Sequence, residues 1–181
     1  ILHLSKHLNQ TDKTPITKMA TANNNLSDYN MEKVPSAEGM RFAIIVSEWN
    51  NHITENLFVG AEQTLIKSGV KQNDIIRIDV PGSFELVFGA KIAQKKYNFE
   101  LYDAIICLGS VIKGETDHFH YICNAVSSGI QDLNVHGDVP VIFGVLTDDN
   151  EQQAIDRSGG KLGNKGIEAA ITAIKMSVLN K

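Results

Sequence analysis

Cysteine is scarce in this sequence: of 181 residues only Cys107 and Cys123 are cysteines, and they form no CxxC pair. That excludes a disulfide framework, a zinc ribbon and a thioredoxin-type centre, and it fits a reducing cytosol. No apolar run approaches the roughly 20 residues needed to span a bilayer. The opening ILHLSKHLNQ is polar, with two histidines, and lacks the apolar core of a signal peptide. Positive charge is not in excess either. Lys+Arg number 17 against Asp+Glu 21, a formal net charge of −4, and no basic run offers a footprint for a nucleic-acid backbone. Internal repeats are absent. So are GxSxG, GxGxxG and the GxxxxGK[ST] spacing, and GSVIKGET is therefore not a P-loop. What remains is the balance of an ordinary soluble domain, 43% hydrophobic and 21% charged, with the cytoplasm as its expected location.

Composition shifts near residue 40. Residues 1–39 contain TDKTPITK, ATANNNLSDYN and VPSAEG, with few large apolar side chains and no sustained period. Such a stretch buries too little to offset its ordering entropy. It reads as a flexible N-terminal extension, with an arm that orders against a neighbouring subunit as the alternative; Met19 is a second candidate start. Residues 40–181 are expected to form the domain.

There the signals alternate. Arg41 to Val46, apolar throughout after the arginine, reads as a strand buried on both faces. Thr54 is a candidate cap for a helix through Leu57, Phe58, Ala61, Leu65 and Ile66, and Gly69 is placed to end it. Asp74 to Val80 reads as a second strand, stopped by Pro81-Gly82, and Phe84 to Lys96 as a second helix. Asp103 to Leu108 is the third strand, His118 to Gln131 the next helix, and Val139 to Leu146 the fourth strand. Glu151 to Arg157 and Lys165 to Leu179 read as helices on either side of a Gly/Lys loop. The order βαβαβαβαα predicts an α/β domain, a three-layer α/β/α sandwich on a four-stranded parallel sheet, plus the N-terminal arm.

Ligands of such sheets bind outside the carboxyl ends of the strands, and the chemically interesting residues fall there. The four ends carry Ser47-Glu48-Trp49-Asn50, then Val80 to Glu85, then Gly109 to His118, then Leu146 to Asn150 with Phe143 just before. Trp49, Phe84 and Phe143 suggest a planar ligand. Gly114-Glu115-Thr116 precedes a helix, so its amides are an anion site or a plain capping turn. Arg157 and the loop Gly159 to Gly166 add cations for a phosphate, or a solvated helix end. His118 and His120, two apart on a helix, diverge and do not share a metal. His118 is the candidate proton shuttle because it adjoins the anion site; His52 and His136 read as structural.

Assembled, these segments resemble the lumazine synthase family from about Met40 to Lys181. The carrying motifs are WNNHIT (49–54), VPGSFE (80–85), VIKGETDHFHYI (111–122), PVIFGVLT (140–147), EQQAIDR (151–157) and GNKGIEAA (163–170). Trp49 stands where the family usually has Phe, and Lys95 to Tyr102 is slightly longer than in compact members.

The resemblance implies a flavodoxin-like fold and a transferase of riboflavin biosynthesis. It would condense 5-amino-6-(D-ribitylamino)uracil with 3,4-dihydroxy-2-butanone 4-phosphate, releasing phosphate and water, with no metal or organic cofactor. By the same resemblance Trp49 stacks on the pyrimidine, and Ser83, Phe84 and Glu85 hold ring-proximal and ribityl groups. Ser110, Val111 and Ile112 line the pyrimidine side, and Phe143 completes the pocket from a neighbouring subunit. Glu115 and Thr116 hold the phosphate with Arg157 as counter-charge, Lys165 adds a contact, and His118 transfers protons. Family members form pentamers, and some pack twelve of them into a 60-subunit capsid. The short GGKLGNKG loop resembles those, with riboflavin synthase as a candidate enclosed partner. The competing readings are a flavodoxin-type electron carrier, a receiver domain and a non-catalytic flavin-binding or shell protein. SEWNNHIT is not a Ser/Thr-rich phosphate loop, and Cys107-Leu108-Gly109-Ser110 lacks a receiver's aspartate.

Overall fold

A computed structural model of the chain describes residues 25, 27, 29–95 and 102–180. Four parallel strands, β1 (Phe42–Ser47), β2 (Ile75–Val80), β3 (Ala104–Ile112) and β4 (Val141–Asp148), form one sheet in the order β2-β1-β3-β4. Strand β1 is central, and each of its residues is buried. Successive side chains alternate across a strand, so β1 feeds two cores. Phe42, Ile44 and Val46 pack with α1 (Asn51–Lys67) and α5 (Lys165–Leu179). Ala43 and Ile45 pack on the other face, with α2 (Leu86–Gln94) and α3 (His118–His136). The result is the expected three-layer α/β/α arrangement. A short helix α4 (Glu151–Arg157) and a two-stranded hairpin, β5 (Ser158–Gly160) with β6 (Gly163–Asn164), join β4 to α5. The hairpin occupies the segment read from sequence as a plain loop.

Several boundaries differ from the sequence reading, each for a local reason. Helix α1 starts at Asn51, not at a Thr54 cap: Asn50 takes the cap position in a left-handed conformation, and Thr54 is buried within the first turn. Gly69 follows the helix at φ 102°, a conformation that glycine alone adopts freely. The helix expected from Phe84 begins as a 3-10 turn, Ser83–Glu85, before α2 proper. Strand β3 runs on through Gly109 to Ile112, because β4 pairs with it as far as Ile112 opposite Asp148.

Of the segment expected to be an N-terminal extension, residues 25, 27 and 29–39 are described. Ala37 is fully buried and its amide donates to the Ser68 carbonyl at 2.8 Å. Ser27 Oγ donates to the Asn164 carbonyl at 2.9 Å. Met19 and most of the Lys95 to Tyr102 segment lie outside the described residues. Among those described, no helix is long and apolar enough to cross a membrane.

Candidate active site

Three connections at the carboxyl edge of the sheet, those after β1, β2 and β3, enclose a cavity of about 680 Å³. The turn after β1 supplies Trp49 and Asn50, that after β2 supplies Pro81 to Glu85, and the end of β3 supplies Ser110, Val111 and Ile112. Gly114, Thr116, His118, Phe119 and Ile122 complete it from the loop before α3 and from that helix. Nine residues predicted from sequence therefore meet in one place: Trp49, Ser83, Phe84, Glu85, Ser110, Val111, Ile112, Thr116 and His118.

The cavity combines apolar walls with unspent polar groups. Trp49 and Phe84 are 72% and 56% exposed at its mouth, which leaves their ring faces open to a planar molecule. Deeper down, Ser83 and Ser110 are buried, and neither Oγ has a hydrogen-bond partner within the protein. A buried hydroxyl left unpaired costs about 1–3 kcal/mol, and both of these residues border the cavity. Gly109 makes this floor possible. A Cβ there would lie 2.7 Å from Ser83 Oγ and 2.9 Å from Leu86 Cδ1, so only a hydrogen lets β3 run this close to the Ser83 turn.

Helix α3 is 19 residues long, and no side chain caps its N-terminus at Asp117. Its first amides and the positive end of its dipole favour an anion beside Gly114, Thr116 and His118. Glu115 is exposed on the same loop and does not line the cavity. Cys107 lies fully buried behind it, its thiol pushed up to about 12 by burial, and takes no part in thiolate chemistry. No cluster of three metal-ligating side chains occurs among the described residues.

Phe143, Arg157 and Lys165 are elsewhere. Phe143 and Lys165 line a second cavity, of about 690 Å³, between the outer edge of β4 and α5. Arg157 sits beside Lys165 because both pair with one carboxylate. Arg157 Nη2 lies 2.9 Å from Glu168 Oε1, and Lys165 Nζ lies 3.1 Å from Glu168 Oε2. Arg157 Nη1 also donates to the Leu162 carbonyl at 3.0 Å, fixing the guanidinium against the hairpin loop. The Glu168 side chain is only 11% exposed, so its charge is held by the two cations. Nearby, burial raises the pKa of Asp148, with Arg157 opposing the shift and Asp149 adding to it. Sequence reasoning missed Glu168. Its signal is an acid three residues after Lys165 on the apolar face of a helix, where only a paired charge survives.

The match to known proteins covers the whole of this architecture. Residues 39–181 match the family model described as 6,7-dimethyl-8-ribityllumazine synthase. A protein of that name from Christiangramia forsetii is 56% identical over 163 residues, covering 90% of this chain and 96% of that one. Its namesake from Flavobacterium psychrophilum is 54% identical over 90% of this chain and 85% of its own. Another, from Phocaeicola vulgatus, is 54% identical over 87% of this chain and 92% of its own. Identity of this order over nearly the full length of both partners, on a sheet whose carboxyl edge holds the expected cavity, places the chain in the 6,7-dimethyl-8-ribityllumazine synthase family.

Proposed function

We propose that the chain condenses 5-amino-6-(D-ribitylamino)uracil with 3,4-dihydroxy-2-butanone 4-phosphate to give 6,7-dimethyl-8-ribityllumazine, phosphate and water, as a transferase of riboflavin biosynthesis. The observation that carries this reading is the cavity at the sheet's carboxyl edge, where aromatic faces, two unpaired serine hydroxyls and an uncapped helix start converge. Trp49 stacks on the pyrimidine. Ser83, Phe84 and Glu85 take the ring-proximal and ribityl groups, and Ser110, Val111 and Ile112 form the pyrimidine wall. The butanone phosphate lies at the start of α3 near Thr116, with Glu115 on the same loop.

The chemistry needs little more than placement and proton transfer. The uracil's primary amine attacks the ketone and water leaves to give an imine. Phosphate is then eliminated to leave an enol that tautomerises to a second carbonyl, and the ribityl-bearing amine attacks that carbonyl and closes the ring as a second water leaves. Holding two reactants face to face supplies on the order of several kcal/mol. His118 moves protons during imine formation and elimination, a contribution of about 10²–10⁴-fold for a well-placed base.

Phe143, Arg157 and Lys165 line no part of this cavity in their own chain, so they serve the cavity of a neighbouring copy. The assembly is a ring, a pentamer by family resemblance, in which the β4 edge and α5 of one subunit wall the cavity of the next; Arg157 there meets the departing phosphate. The short loop between α4 and α5 favours the larger shell of 60 subunits, with riboflavin synthase as its candidate content, and the cytoplasm is the place of reaction. Purified protein given both substrates and no added metal should form lumazine absorbance and phosphate in equal amounts. A folded oligomer that forms neither would return the chain to a binding or shell role.

A further inference from the structure

Asn50 is the one non-glycine residue, among those described, with a left-handed backbone, at φ 59° and ψ 47°. Most L-residues resist that conformation, and asparagine is one of the few that tolerate it. Strain of this kind gathers where a fold holds a functional geometry. Two sets of bonds hold the residue in place. Its carbonyl accepts from the amides of Ile53 and Thr54, which starts α1. Its Nδ2 donates to the Ser110 carbonyl at 3.1 Å, a tie between positions 60 residues apart. The preceding Trp49 is fastened weakly by comparison. Its amide donates to the Pro81 carbonyl at 3.3 Å, its carbonyl accepts from Ser47 Oγ at 3.5 Å, and its side chain is 72% exposed. The direction in which the indole leaves the strand therefore depends on the turn that follows it.

We propose that Asn50 is a positioning residue: its left-handed turn and its carboxamide bond to Ser110 aim the Trp49 indole across the mouth of the cavity, so that the aminouracil meets a ring already in place. This rests on the stacking role proposed for Trp49. It belongs to preorganisation, in which the order needed for binding exists before the ligand arrives. The bond to Ser110 also ties the stacking residue to the opposite, β3 wall, so the gap between the two is fixed by one amide.

Trp49 is the only tryptophan in the sequence, so its fluorescence reads the indole directly, without substrate. Asn50→Gly keeps the left-handed turn and removes the carboxamide. Asn50→Asp keeps the shape and turns a carboxylate oxygen towards the Ser110 carbonyl. In each variant of the full chain, the fast component of Trp49 anisotropy decay should grow, and KM for the aminouracil should rise about tenfold with kcat within about threefold. Trp49→Ala is the control for the stacking role. If its KM is normal, stacking itself is wrong, and the anisotropy of Asn50→Gly alone decides whether Asn50 holds the indole. If its KM is raised, an Asn50→Gly protein with either readout at the wild-type value overturns the proposal. A raised KM with unaltered anisotropy would make Asn50 a substrate contact instead. Should Asn50→Gly fail to fold, the same two measurements on Asn50→Asp decide the matter in the same way.

Discussion

Separating His118 from Arg157 within one chain leads to a quantitative test by mixing two defective proteins. His118→Ala spoils a cavity but keeps an intact Arg157 wall, whereas Arg157→Ala spoils the wall but keeps an intact cavity. In the proposed ring each cavity is walled by the next subunit, so random 1:1 mixing joins an intact cavity to an intact wall at about one junction in four. About one in four junctions carries both defects and half carry one, whatever the number of subunits in the ring. The mixture should therefore regain about 25% of wild-type turnover, against parents expected at or below about 10%. Co-expression, or joint unfolding and refolding, followed by the lumazine absorbance assay at saturating substrates, measures this. A mixture that shows only the mean of its two parents would place both residues in one subunit's site and refute the shared cavity.

Other expectations follow from single contacts. His118→Ala should lower kcat by roughly one to three orders of magnitude without abolishing turnover, since placement of the substrates survives; an unchanged kcat would remove the proton-transfer role. Glu168→Gln leaves Arg157 and Lys165 as unbalanced neighbours in a largely buried site, and the stability lost should be roughly 2–4 kcal/mol. The denaturant midpoint reads this, and added salt should recover part of it by screening the two cations. Gly109→Ala drives a methyl into Ser83 and Leu86 and should cost about 1–3 kcal/mol while weakening the aminouracil's binding; normal affinity would show that the floor does not matter. Arg77 holds the Glu55 carboxyl below the usual range, chiefly by hydrogen bonding. A depressed carboxylate stabilises the fold above its unfolded pKa and loses that contribution as pH falls through the folded one. Glu55→Gln should thus lower stability slightly at neutral pH, change it little once the wild-type carboxyl is protonated, and so flatten the acid limb of a melting profile; a full loss at acid pH would refute the assignment.

The strands were the most legible part of the fold. Runs such as Phe42 to Val46 are apolar throughout, because both faces of a central parallel strand are covered. The last residues of β3 were not legible. Gly109 to Ile112 looks like the start of a loop, and only pairing with β4, far along the chain, makes it strand. The start of α1 was misplaced because Asn50 caps it through an unusual torsion that residue identity alone does not reveal. The clustering of Trp49, Ser83, Ser110 and His118 follows from topology, since parallel strands bring their carboxyl ends to one edge. The separation of Phe143, Arg157 and Lys165 from that cluster is not legible in the same way, since it follows from the edge position of β4 and the packing of α5 beside it. Glu168 escaped notice for a related reason: its meaning depends on two partners, one of them Arg157, eleven positions back on another helix.

The two unpaired hydroxyls of Ser83 and Ser110 have a bearing on how this protein tolerates change. Unpaired, they work against the folded state, and on the binding role proposed for them their worth appears only when a ligand supplies the missing bonds. Laboratory evolution for heat resistance without substrate would therefore reward replacing both serines with alanine, and the hardened protein would be a worse catalyst. The same selection run with substrate present would keep them, so the two serines would separate selection for stability from selection for turnover.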